Sequence, residues 1–353
     1  MGSWLESQPL PADQIDRLDV ARAVWFRGPR EVELRDEEIR SPNPGEVRVR
    51  ALRSAISHGT EMLVYRGEVD PAMSLDLPTL RGSFAFPIKY GYAAVGRVER
   101  IGREVVRLKE GDLVFARHPH QSCFLVHQEG AEPLPSTVDT EAATLLANLE
   151  TAVNILLDAH PRTGDRVAVF GQGVVGLLVT RLLRRAGMQM IVAVDAIARR
   201  RALASALGAD LVLKPGDDLA EQVMSATGGS GVDLAVEISG NPSALNLAID
   251  CVRFQGTVVV ASWYGTKPVS LRLGGAFHRN RLHIISSQVS HLDPALGPDW
   301  TPARRMQLAI TLLEELETAP LISHRFPLEE AADAYRLIDK HPDETVQVLF
   351  TYV

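Results

Sequence analysis

The run Gly171-Gln172-Gly173-Val174-Val175-Gly176 is the stretch of this sequence best suited to holding a phosphorylated ligand. The apolar segment Arg166–Phe170 precedes it and a helical pattern follows to about Ala186, so a strand leads in and a helix leads out. Gly171 allows a tight turn, Gly173 lets the backbone approach a pyrophosphate, and Gly176 lets helix and strand pack closely. The helix N-terminus offers free N–H donors and partial positive charge to the phosphates. Asp195 ends the next apolar segment, 19 residues beyond Gly176. A carboxylate there accepts from both ribose hydroxyls and repels a 2′-phosphate, which selects NAD over NADP. Arg199, Arg200 and Arg201 follow on the next helix and are suited to a 2′-phosphate, which pulls the other way. An S-adenosylmethionine transferase uses a similar pattern, but it has no need of the long β-rich stretch ahead of it here.

Two further groups carry chemistry. Arg117-His118-Pro119-His120-Gln121 holds two histidines two residues apart. On extended backbone such a pair projects to one face, which suits a metal or a proton relay, or equally a polar loop lining a cleft. Trp263-Tyr264-Gly265 ends the apolar segment that begins at Gly256. That is the carboxyl edge where open α/β sheets bind ligands, and aromatic side chains there shape a pocket.

The elements that must position these residues fall into two kinds. Before residue 155 the chain reads as short strands with turn signals: Ala21–Phe26, Glu31–Leu34, Glu46–Ile56, Tyr92–Ile101 and Leu113–Ala116. From Arg166 onward, strands that are apolar throughout alternate with helices: Ile191–Asp195, Asp210–Leu213, Val232–Ile238, Gly256–Trp263 and Leu282–Ser287. That alternation indicates a parallel sheet covered on both faces. The tail Thr301–Leu316 and Leu328–Lys340 is helical, and Thr345–Val353 is a last strand expected to return to the first domain.

The 353 residues suit two domains. At 46% hydrophobic and 23% charged the composition is that of a folded globular chain, not a disordered or collagen-like one. Lys plus Arg number 37 against 44 for Asp plus Glu, a formal charge of −7, which gives no reason to expect nucleic acid or an anionic membrane as partner. Cys123 and Cys251 are the only cysteines, too few for a four-thiolate zinc lobe. No export signal pattern opens the chain, and Val167–Thr180, uncharged but broken by glycines, is too short to span a bilayer; the expectation is a cytoplasmic protein.

From about Ala21 to Val353 the sequence resembles the medium-chain dehydrogenase/reductase superfamily, the zinc alcohol dehydrogenase fold. The resemblance rests on PNPGEVRVR, YAAVGRVERIG, LKEGDLVFA, ETAVNIL, GQGVVGLL and HRFPLEEAADAYRLI. It implies an α/β fold with a GroES-like β-rich catalytic domain (1–158, with a return over 293–353) and a Rossmann NAD-binding domain (159–292), a doubly wound parallel sheet. It also implies a nicotinamide cleft between the two, and a homodimer or homotetramer paired along the Leu282–Ser287 strand.

The departures from that pattern are informative. Zinc members carry Cys-Gly-Thr/Ser-Asp where this chain has His58-Gly59-Thr60-Glu61, and Gly-His-Glu where it has Gly91-Tyr92-Ala93. A catalytic zinc needs three protein ligands, so the resemblance is to a zinc-independent branch, similar through GTE and LANLETAVN to bacteriochlorophyllide hydroxyethyl dehydrogenase-like proteins. What it implies is NAD(H)-dependent interconversion of a secondary alcohol (a polyol, sugar, cyclitol or larger hydroxyl substrate) and its ketone, with no zinc. A side chain must then manage the hydroxyl proton and the developing alkoxide. The resemblance puts His58 and Tyr92 facing the substrate, Thr60 as the relay hydroxyl beside Glu61, and Glu150 near the third ligand position, where it could orient a histidine or hold a substrate hydroxyl; a nonstandard site of His58, His120 and Glu150 is a further reading. Gly171, Gly173, Val174, Val175, Gly176, Asp195, Arg200 and Trp263 fall to the cofactor. A quinone or enoyl reductase on the same fold is the alternative within the family, though it usually prefers NADPH; a non-catalytic dinucleotide-binding sensor or structural protein is the alternative outside it.

Overall fold

The computed structural model describes residues 19–75 and 79–352. Strands β1 (Asp19–Gly28) and β2 (Glu31–Ile39) form an antiparallel ribbon. Strands β3 (Glu46–Ala55), β4 (Ala94–Ile101), β5 (Leu113–Ala116), β6 (Cys123–His127) and β7 (Ala131–Pro133) build the β-rich part. Val47, Val49 and Ala51 of β3 alternate into the core, the period-two pattern of a strand with one buried face. Helix α1 (Thr60–Arg66) follows β3 and ends on Gly67, whose φ of 73° a side chain would resist. Helices α2 (Thr140–Ala143) and α3 (Leu146–Ala159) lead out of this part.

The second sheet contains β8 (Arg166–Phe170), β9 (Met190–Val194), β10 (Leu211–Leu213), β11 (Val232–Glu237), β12 (Val252–Val260) and β13 (His283–Ser286). Their order is β10-β9-β8-β11-β12-β13, all parallel. Helices α4 (Val174–Arg185), α5 (Ala198–Ala206), α6 (Leu219–Ala226) and α7 (Pro242–Cys251) make the crossovers. Val167, Ala168 and Val169 are wholly buried because helices cover both faces, which is why β8 reads apolar without alternation. The strand order reverses between β8 and β11, and the crevice at such a reversal is where ligands bind.

After α8 (Pro302–Glu315) the chain forms β14 (Ile322–Pro327), α9 (Ala331–Lys340) and β15 (Gln347–Thr351). β15 pairs antiparallel with β3, so the first sheet runs β14-β15-β3-β4-β5-β7, with β6 also on β3. The last strand therefore does return to the β-rich part. Strand β14, parallel to β15, was not expected from the sequence. One continuous core runs from Val95 and Phe115 through Leu149 and Ile155 of α3 to Val169 and Leu177. Helix α3 is thus the wedge that joins the two sheets.

Candidate active site

The glycine turn after β8 is built as its spacing demands. Gly171 has φ 97° and a Cβ there would lie 2.6 Å from Ser239 Cα; at Gly176 it would lie 1.9 Å from the Gly171 carbonyl oxygen. Only glycine fits either place. Around Gly173, by contrast, nothing stands within 4 Å of an added Cβ. Gly173 caps α4 without a side-chain hydrogen bond, so the first-turn N–H groups of Val174 and Val175 keep their donor capacity for a ligand. Asp195, at the end of β9, accepts from the Gln172 N–H at 2.6 Å and the Ile197 N–H at 2.8 Å. These bonds aim the carboxylate across the turn while leaving each oxygen a further lone pair. Of the three arginines beyond it, Arg199 donates to the Glu344 carbonyl, Arg200 to the Pro342 and Thr345 carbonyls, and Arg201 to the Asp195 carbonyl. These residues fit the adenosine and diphosphate of a dinucleotide.

Tyr92 stands just before β4. Its hydroxyl donates to Ser57 Oγ at 2.5 Å. Burial raises its pKa, against the opposing effect of hydrogen bonds with Ser57 and Thr60, so the phenol stays protonated at neutral pH. Tyr92, Ser57 and Thr60 therefore come together as a hydroxyl cluster. Ser57 carried no signal in the sequence beyond lying next to His58. Tyr92 also closes an aromatic line: Tyr90 lies 6.1 Å from it, Phe84 5.6 Å from Tyr90, and Trp263 5.8 Å from Phe84. Trp263, beyond β12, thus reaches across to the β-rich part.

Beneath this cluster lies a second, wholly buried one. Glu61, His120 and Tyr335 have no exposed surface. Glu61 Oε2 accepts from the Ser57 N–H at 3.0 Å, and Oε1 accepts from His120 Nε2 at 2.9 Å and from the Tyr335 hydroxyl. A carboxylate only accepts, so His120 Nε2 carries the proton between it and Glu61, and Nδ1 lies 2.6 Å from Ser54 Oγ. Ser54 Oγ in turn lies 2.6 Å from the Tyr352 hydroxyl. Glu61 and His120 are therefore corrected from catalytic candidates to residues that hold the Ser57–Thr60 loop from behind; buried this way, neither reaches a substrate.

Three more expectations are corrected. Glu150, on α3, is held by Arg305 Nη2 at 2.9 Å and Nε at 3.2 Å, and by Arg117. Two guanidinium groups saturate the carboxylate, so it neither orients His120 nor offers itself to a hydroxyl. His118 and His120 do not share a face. His118 stacks on Phe124 at 4.0 Å while His120 meets Phe350 edge-on at 4.9 Å. The segment between β5 and β6 is not regular strand. Lastly, the charged groups bearing on His58 are Arg200, Arg66 and His324, whereas Ser57, Thr60 and Glu61 bear on Tyr92. His58 and Tyr92 occupy different neighbourhoods. Burial, and after it Arg200 and Arg66, push the His58 imidazole down to about 3.

This donor set does not fit a tetrahedral zinc. Tyr92 is bonded to Ser57, position 93 is alanine, and Cys123 is buried on β6. Among the described residues no three His, Cys, Asp or Glu side chains converge as ligands.

Comparison with known proteins places this geometry. Residues 174–304 match the family model described as zinc-binding dehydrogenase. The chain is 26% identical over 342 residues to D-guloside 3-dehydrogenase of Escherichia coli K12, covering 92% of this chain and 98% of that one. It is 30% identical over 264 residues to (R,R)-butanediol dehydrogenase of Bacillus subtilis, covering 65% of this chain and 75% of that one. The chain belongs to the medium-chain dehydrogenase/reductase superfamily. It has that superfamily's zinc alcohol dehydrogenase fold: an Escherichia coli CFT073 alcohol dehydrogenase solved with NADH superposes with a TM-score of 0.78 over 94% of this chain and 99% of that one, at 19% identity. As a medium-chain dehydrogenase/reductase the chain is an enzyme, and among the described residues no helix is long and apolar enough to cross a membrane.

Proposed function

We propose that this enzyme is a zinc-independent, NAD(H)-dependent oxidoreductase that interconverts a secondary alcohol and its ketone. The substrate class is a polyol, sugar, cyclitol or larger hydroxyl compound, in keeping with the D-guloside and butanediol named for the two relatives. The observation that carries the reading is the hydroxyl of Tyr92. The resemblance puts it at the position where zinc members carry a histidine ligand, and it is half-buried and protonated, with Ser57 and Thr60 beside it.

The nicotinamide, when bound, supplies or accepts the hydride. The protein's part is to place the carbon–oxygen bond and to move one proton. With its pKa raised by burial, Tyr92 is a hydrogen-bond donor rather than a base. By turning its one O–H from Ser57 Oγ to a ketone oxygen it is suited to polarise that oxygen and to give it a proton as charge develops there. Ser57 and Thr60 stabilise the phenolate left behind by hydrogen bonding to it, and exchange its proton with the cleft. Trp263, half-buried and backed by Phe84 and Tyr90 in the core, gives an apolar surface against which a substrate ring or chain can lie. Asp195 supports NADH over NADPH, since Arg199 and Arg200 spend donors on main-chain carbonyls.

Tyr92→Phe tests the assignment. Loss of a general acid costs on the order of a hundredfold in turnover, while the Kd for NADH stays within a factor of two or so of the wild type. Turnover unchanged by the substitution would remove Tyr92 from the chemistry.

A further inference from the structure

The β1–β2 hairpin, the end of α1 and one face of α9 enclose a cavity of about 500 Å³. That lies within the range that holds a small organic ligand, and a bare oxyanion would not fill it. None of its lining residues belongs to the glycine turn or to the hydroxyl cluster around Tyr92. The main chain fixes the hairpin in place, since the Arg30 N–H donates to the Tyr65 carbonyl at 2.6 Å. Arg30 has φ 61°, in the left-handed region that glycine occupies without strain. The chain keeps an arginine there all the same, and that arginine lines the cavity.

Three arginines border the cavity with donors to spare. Among the described residues Arg27 spends only its Nε, on Glu31 at 3.0 Å, and Arg30 only its Nε, on Asp339 at 3.2 Å. Arg336 spends one terminal nitrogen, on Asp333 at 2.9 Å. Tyr65 is 4% exposed and forms part of the wall, and its hydroxyl has no hydrogen-bond partner among the described residues. Arg30 and Arg336 both bear electrostatically on that phenol. Burial, and after it Asp339, raise the Tyr65 pKa, so the hydroxyl is a donor at neutral pH. The acids nearby are already taken: Glu31 by Arg27, Glu33 by Arg35, and Asp339 by Arg30 and by Arg66 at 2.6 Å. Unspent guanidinium donors beside a buried hydroxyl suit an oxyanion. A phosphate monoester has three terminal oxygens to offer such donors, where a carboxylate has two. Val32, Ala332 and the Tyr65 ring supply apolar wall for the organic part of the ester.

We propose that this cavity is a second ligand site, which takes a small phosphate monoester through Arg27, Arg30, Arg336 and the Tyr65 hydroxyl. It stands apart from the oxidoreductase reading, and neither requires the other.

Calorimetric titration of the full chain tests the site, with NADH present at saturation to fill the nucleotide crevice and ionic strength held constant with chloride. The probes are glycerol 3-phosphate, inorganic phosphate and glycerate. Glycerol 3-phosphate should bind more tightly than either of the others. Arg27→Gln and Arg336→Gln each break an exposed ion pair of little worth to folding. Each should weaken the ester by about tenfold, the scale of one hydrogen bond between charged groups. Tyr65→Phe keeps the ring stacked on Tyr335 and should weaken the ester by about fivefold. The Kd for NADH should stay at the wild-type value in all three variants. Equal affinity for inorganic phosphate and the ester marks an adventitious ion only and overturns the site. Ester binding that the variants leave unchanged, or no ester binding at all, overturns it too. Glycerate bound as tightly as the ester overturns the assignment to phosphate. Variants that weaken NADH in step make the cavity part of the nucleotide crevice and overturn a second site. A chain that binds the ester but not NADH keeps this site and loses the dinucleotide reading.

Discussion

Replacing Glu61 by glutamine keeps its size and removes one acceptor from a closed set of donors. Three donors point at this carboxylate: Ser57 N–H, His120 Nε2–H and the Tyr335 hydroxyl. An amide has one oxygen, so its NH₂ must face either Ser57 N–H or the His120 and Tyr335 pair. With no surface exposed on Glu61, water cannot take over. One charge-assisted hydrogen bond is lost and one donor is left unmet, which together cost about 3 kcal/mol. Glu61→Ala leaves all three unmet and a cavity besides, a loss comparable with a whole domain's margin of about 5–15 kcal/mol, so that variant should not accumulate as folded protein. Tyr335→Phe relieves one donor and costs about 1–2 kcal/mol alone. In Glu61→Gln the NH₂ faces Ser57, the arrangement that leaves one donor unmet, and Tyr335 keeps a neutral oxygen as acceptor. The double variant should cost clearly less than the sum, because the bond that Tyr335→Phe removes is then no longer charge-assisted. Urea unfolding of the two single variants and the double variant gives the coupling. Turnover should fall in Glu61→Gln, since the Ser57 main chain that presents Oγ to Tyr92 loses its anchor. Strict additivity, or full stability in Glu61→Gln, would refute the buried network as the support of the loop.

Two further outcomes follow from the same structure. His118 is held neutral down to about pH 3 by burial against Phe124, while an unfolded histidine titrates near 6.5; between those values the unfolded chain binds more protons, so stability falls as pH drops through the window, by about 2 kcal/mol for this group at pH 5. His118→Phe keeps the stack and should make that acid limb shallower in urea titrations, with His58 supplying the part that remains, and an unchanged limb would contradict the assignment. The β13 edge of the parallel sheet carries the exposed Ile285, and pairing of two copies there would cover it. Light scattering should give at least twice the mass of one chain; the mass of a single chain at micromolar concentration would rule the dimer out.

The parts of this enzyme legible in its sequence are those fixed by short-range geometry. The GQGVVG turn declares itself because Gly171 takes a φ of 97° and a Cβ at Gly176 would strike the Gly171 carbonyl within the same turn. The parallel strands declare themselves because burial on both faces leaves no polar positions. The candidate site was half legible. Tyr92 and Thr60 fall together as the family pattern implied, but the groups that define their surroundings come from far along the chain. Tyr335 lies 274 positions from Glu61, and Arg305 155 positions from Glu150. No local pattern announces that a carboxylate will be taken up by an arginine on a distant helix. The histidine pair failed for a different reason: the two-residue period assumes a regular strand, and the segment between β5 and β6 is not one. β14 escaped notice because ISHRFP alternates weakly, its residues being only half-buried at the sheet edge.

Metal content measured against activity tests the central claim most directly. The chain, purified and stripped with a chelator, is assayed for oxidation of a polyol and sugar panel by the absorbance of NADH, with zinc counted by elemental analysis on the same sample. Hydride transfer without zinc should supply the whole rate, so the stripped enzyme should turn over NAD with at least one secondary alcohol at the untreated rate, with far less than one zinc per chain. Activity that disappears with the chelator and returns with one equivalent of zinc would contradict the account.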